Sequence, residues 1–203
     1  EFAGRIGDPT LKWHRWNGYA ILVLLVFRLI WGVVGSSTSR IGGFFHSPGA
    51  VLRYMRSHMT GPTLHYLGHN PLGSLMILLL VVAVTGQAVL GLYTLEHNEI
   101  TAGPLKRTIS DEMTERVSWL HVRGFNVILA LASIHIVANS LYGLLKRDPL
   151  VKAMVTGRKP ARSFVDASEM KPAANLGLRA ALSLLAAIIL VFGTITLLGG
   201  RIL

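Results

Sequence analysis

Residues 119–145 read WLHVRGFNVILALASIHIVANSLYGLL, an apolar run interrupted by two histidines, His121 and His135. The run is longer than the roughly 20 residues a helix needs to cross a hydrocarbon core about 30 Å thick. It lacks the alternating polarity of a membrane strand, so a transmembrane helix is expected. Fourteen residues at about 100° each bring His135 back to within about 40° of the face of His121. At 1.5 Å per residue the two stand roughly 21 Å apart along the axis. Intramembrane histidines are costly to bury and mark a functional pathway by default. The separation suits two haems stacked across the bilayer, each taking one axial ligand from this helix. A lone buried histidine would more often satisfy a helix–helix hydrogen bond.

Three further windows are long enough to span: Trp16 to Gly35, Pro71 to Tyr93 and Leu176 to Gly199. With 51% hydrophobic residues over 203 positions and a mean hydropathy of +0.50, the chain reads as all-α, a transmembrane helical bundle with four transmembrane helices. The sequence has no cysteine, which excludes thiolate-held iron–sulfur clusters, disulfides and covalent c-type haem attachment. The expected cofactor is therefore noncovalent haem b, in one or two copies. No Walker loop, zincin or nucleophile-elbow motif occurs, and no glycine fingerprint follows a strand, so nucleotide and nicotinamide chemistry within the chain is not expected.

A net charge of +10 would suggest nucleic acid in a soluble protein. Here the basic residues crowd into the connections between spans, so lipid headgroups and topology explain them and no nucleic-acid partner is expected. The segment Ser36 to Asn70, with an amphipathic piece around Val51 to His58, is expected on the membrane surface. Ser110 is expected to cap a helical lead into the third span. The first-to-second and third-to-fourth connections share one side of the membrane. They carry Arg40, Arg53, Arg56, Lys146, Arg147, Lys152, Arg158, Lys159, Arg162 and Lys171, while Glu1, Asp8, Glu96, Glu99, Asp111, Glu112 and Glu115 fall on the other. The positive-inside rule makes the basic side cytoplasmic and sets the start of the chain outside. A start outside with Glu, and without a signal-like segment, suggests that an upstream helix is absent from this sequence.

Among eight histidines, His46, His58, His65 and His97 lie in connections and read as solvated or headgroup-facing. His14 enters the first span from the side on which His121 enters the third, so the two can reach one iron from opposite faces. Gly18, one turn beyond His14, would let a flat macrocycle approach the backbone, or would serve close helix packing. Arg28 lies fourteen residues after His14 and shares its face; a haem propionate, an acidic group, a carbonyl or a water-filled cleft would satisfy it. For His135 the only partner entering from the second side is His69. By helix rise His69 lies about 20 Å from the middle of its span, against about 7 Å for His135. A headgroup-level role beside a quinone or a propionate is the alternative for His69.

The carrying motifs are His14-x3-Gly18 followed by Phe27-Arg28-Leu29-Ile30-Trp31-Gly32, then Tyr66-Leu67-Gly68-His69-Asn70-Pro71-Leu72-Gly73, then Trp119-Leu120-His121 with thirteen residues before His135. On these the chain resembles the bacterial cytochrome b561 family, in the branch similar to cytochrome b subunits of nickel–iron hydrogenases and related di-haem membrane cytochromes. The resemblance covers about residues 10–145, which would form the haem-binding transmembrane core. Residues 146–203 would add a basic cytoplasmic loop and an extra C-terminal span.

The resemblance implies that His14 and His121 form an outer-side site and that His135 belongs to an inner-side site. The other inner ligand in the family comes from an additional first helix opening with an Arg-x-x-His-Trp motif, which is not in this sequence. It also implies a bacterial inner-membrane location and a carrier moving electrons between quinone and a c-type cytochrome or a dehydrogenase or hydrogenase subunit. Two other functions stay open at this point. One is superoxide oxidation coupled to quinone reduction, which a cationic pocket near Arg15 and Arg123 would favour. The other is a haem-free membrane anchor or transporter whose buried His and Arg line an ion path.

Overall fold

The computed structural model describes residues 11–60, 65–66, 68–95, 101–146, 155–156, 164, 166 and 174–202. His97 lies outside them. Among the described residues the fold is all-α, with five helices: α1 Lys12–Val34, α2 Pro48–Thr60, α3 Pro71–Gly91, α4 Asp111–Lys146 and α5 Leu176–Leu197. No strand forms among them; the one extended pairing is an isolated bridge between Leu95 and Ala102. Helices α1, α3, α4 and α5 are each long and apolar enough to cross a membrane, in agreement with the four windows of the sequence.

Local chemistry sets the helix ends. Asn70 caps α3 by accepting the Gly73 amide at its Oδ1, 2.8 Å away, and Pro71 occupies the first turn, where its missing N–H has no cost. Ser110 caps α4 through its Oγ and the Met113 amide, 3.3 Å, as expected, so the helix begins eight residues before the apolar window. Asp111 and Glu112 in that first turn face the positive end of the helix dipole. At the end of α5, the amides of Gly200 and Gly199 donate to the carbonyls of Ile195 and Thr196, at 2.8 and 3.0 Å. Gly199 takes φ +78°, the left-handed conformation such a helix stop requires. The surface piece expected around residues 51–58 is the amphipathic helix α2, opened by Pro48 after Ser47, whose Oγ accepts the Ala50 amide at 3.2 Å.

Two compact units are distinguished. The first comprises Glu1–Ile30, Val81–Ile128 and Gly177–Leu203. Its core is a seam between α1 and α5, where Tyr19 and Val23 are buried with Ala187, Val191 and Ile195. The spacing of four residues on both helices stacks these side chains along one stripe. The Tyr19 ring meets Phe192 edge-on at 5.7 Å between centroids. The segment after α3 folds back onto it: the Leu105 and Gly103 amides donate to the carbonyls of Leu92 and Thr94, both at 2.8 Å. Leu105 is buried, and a side chain at Gly103 would run into the carbonyls of Gly91 and Leu92. Ser118 ties this segment to α4, its Oγ accepting the Leu95 amide at 3.0 Å and donating to the Thr114 carbonyl at 2.8 Å.

The second unit comprises Trp31–Leu80 and Leu129–Leu176. Phe44 and Tyr54 are buried within it. The Tyr54 and Tyr66 rings meet edge-on at 5.8 Å, and the Gly68 amide donates to Asp166 Oδ2 at 2.8 Å. Along the apolar helices of both units, residues such as Leu24, Val82, Phe125, Ile136 and Ile189 are exposed. A soluble monomer seldom exposes so much apolar surface, whereas hydrocarbon solvates it without penalty.

Candidate functional site: a paired-histidine haem centre

His14 lies in the first turn of α1 and His121 on α4, and the first unit brings their rings together. The ring centroids are 6.0 Å apart and the planes nearly perpendicular, at 89°. With metal–imidazole bonds of about 2.0–2.1 Å, two imidazoles trans across one metal ion have centroids roughly 6.5 Å apart. The observed spacing therefore fits two axial ligands of one iron. Among the described residues no group of three or more His, Cys, Asp or Glu is placed to hold a metal ion. A haem iron asks for only two protein ligands, because the porphyrin supplies the other four.

The orientation of His121 is held from α3. Its Nδ1 donates to the main-chain carbonyl of Gln87 at 3.0 Å. A carbonyl only accepts, so Nδ1 carries the proton and Nε2 keeps the lone pair a metal needs. In the reverse direction, Gln87 Nε2 donates to the main-chain carbonyl of His121 at 2.8 Å. Two glycines make this approach feasible. A Cβ on Gly91 would stand 3.0 Å from His121 Cε1, and one on Gly124 would run into Gln87 Oε1. Gln87 was missed in the sequence, although an amide inside an otherwise apolar span is a signal for an interhelical hydrogen bond.

Gly18, one turn beyond His14, faces open space: a Cβ there would meet nothing within 4 Å. Among the described residues no helix packs closely at this position, and room for a flat group beside His14 is consistent with the spacing. Arg28 is half-buried on α1. Arg123, next but one to His121, lies over the Trp119 ring with its guanidinium carbon 4.2 Å from the centroid, a cation–π contact that engages its charge.

His135 belongs to the second unit. Asn139, one turn on, donates from Nδ2 to the His135 carbonyl at 3.0 Å and lies against both ring nitrogens, 3.0 Å from Nε2 and 3.3 Å from Nδ1. No second imidazole stands in ring contact with His135 among the described residues. His69 lies exposed beside Phe44, with ring centroids 4.9 Å apart. Near it, burial and the negative charge of Asp166 raise the Tyr66 phenol above its ordinary range.

The sequence model of the family described as prokaryotic cytochrome b561 matches residues 1–157. The chain belongs to the prokaryotic cytochrome b561 family. No curated protein and no solved structure matches it. Family membership makes this b561-family chain a multi-pass membrane protein, a haem b cytochrome of electron transfer. The cysteine-free sequence and the His14–His121 spacing agree with noncovalent haem.

Proposed function

We propose that this chain is a membrane electron carrier in which His14 and His121 ligate one haem b on the outer side. The observation that carries the reading is the 6.0 Å spacing of the two rings, with His121 locked in the tautomer that presents Nε2. Haem with two histidine ligands has no open position and transfers single electrons. His14 and His121 hold it and Gly18 leaves room for its plane; Arg28, roughly 21 Å further along α1, would offer its charge to a propionate of a second haem.

His135 would serve a second, inner haem. Ligation there requires the Asn139 amide to move off the ring nitrogens. Its partner ligand comes from His69 or from a group outside this sequence. In this reading residues 10–145 form the haem-binding part and residues 146–203 an appended basic loop and span. The start of the chain lies on the periplasmic side of a bacterial inner membrane. Electrons pass between quinone and a c-type cytochrome or a dehydrogenase or hydrogenase subunit, as the likeness to hydrogenase cytochrome b subunits suggests.

The experiment is haem per purified chain, measured as the pyridine haemochrome together with the dithionite-reduced spectrum. One b haem lost on His14→Ala or His121→Ala supports the outer site. A folded, colourless wild-type protein would overturn the reading in favour of an anchor or transporter.

A further inference from the structure

We propose that Gln87 is a positioning residue that lowers the reduction potential of the haem held by His14 and His121. The proposal rests on that functional reading and deepens it. Gln87 touches His121 twice, with its main-chain carbonyl on Nδ1 and its side-chain amide on the His121 carbonyl. The second bond ties α3 to α4 at the level of the ligand and so favours a short first contact.

The side chain does little else. Its Oε1 is buried without a hydrogen-bond partner, which is unfavourable in an apolar span. Leucine or methionine would fill a similar volume with no stranded oxygen. A Cβ at residue 124 would displace Oε1, so glycine there leaves the amide its present place. The arrangement therefore retains an unsatisfied acceptor, and the function it secures is the donation to His121.

The electronic consequence follows from the carbonyl on Nδ1–H. A strong acceptor there draws the proton away from the ring and raises the basicity of Nε2, a change that favours the ferric over the ferrous state. Holding that acceptor close keeps the potential low. Releasing it raises the potential without removing the ligand.

The test uses the whole chain, purified in detergent and loaded with haem, comparing wild type, Gln87→Met and Gly124→Ala. Gln87→Met removes the amide, and Gly124→Ala keeps it but displaces it. The readouts are haem per chain, potentiometric midpoints and low-temperature EPR of the ferric state. Expected are wild-type haem content, an upward shift of one midpoint in both variants, and a changed g-anisotropy of that haem alone. Unchanged midpoints and EPR in both variants would overturn the positioning role while leaving the cytochrome reading standing. Should Gln87→Met fail to fold or to hold haem, Gly124→Ala decides alone: a raised midpoint supports the proposal and a wild-type one overturns it. A wild type without haem would overturn both.

Discussion

Perpendicular to one another and 6.0 Å apart between centroids, the imidazoles of His14 and His121 are contributed by the first turn of one membrane helix and the first third of another. In the proposed reading each would supply one ligand to the same haem, so removing either is expected to have the same first effect. His14→Ala and His121→Ala are each expected to abolish one b haem, read as a drop in pyridine haemochrome per chain. A small ligand such as imidazole, added to either variant, is expected to restore part of the spectrum. Retention of the full wild-type spectrum in either variant would show that the iron is held elsewhere.

His135 and Asn139 form a polar pair one helical turn apart. Asn139→Leu is expected to destabilise the folded chain by about 0.6 kcal/mol, up to roughly 1.7 kcal/mol, the range of intramembrane polar contacts. The haem between His14 and His121 should be untouched. Thermal unfolding in detergent, followed at the Soret band, measures the first, and the reduced spectrum checks the second.

Gly103 lies against the main-chain carbonyls of Gly91 and Leu92. Alanine there has to push backbone aside, which nothing flexible can absorb. Gly103→Ala is expected to lower stability by about 1–3 kcal/mol, as overpacking does elsewhere. Haem dissociation should accelerate with it, since Gly91 adjoins His121. A midpoint of thermal unfolding equal to that of the wild type would contradict the close approach.

Ala187 is fully buried where α5 meets Tyr19 and Val23 of α1. Ala187→Leu is expected to wedge the two helices apart, lowering stability by about 1–3 kcal/mol. Ala187→Gly, which leaves the seam intact, should do so by only about 1 kcal/mol. If both substitutions shift thermal unfolding equally, helix propensity rather than packing governs the site.

Several features were legible because their causes are local. Apolar length alone specifies a span, since no water is present in hydrocarbon to satisfy an exposed backbone. The four helices long enough to span, the Ser110 cap and the amphipathic helix α2 all follow from residues within a turn of each element. The pairing of His14 with His121 was legible from chain direction, because alternate spans start from the same side. The His135–Asn139 pair, four residues apart, was readable by the same helical arithmetic although it was not read.

What only the tertiary structure decided is rotation about each helix axis. Spans apolar on every side carry little directional bias, so their sequence does not say which residue turns toward which neighbour. Gln87 facing His121, Gly91 and Gly124 clearing that approach, Gly18 facing open space and α5 closing on Tyr19 all depend on this rotation. Packing between helices settles it, because side-chain volumes and interhelical hydrogen bonds discriminate faces where hydrophobicity along the chain does not.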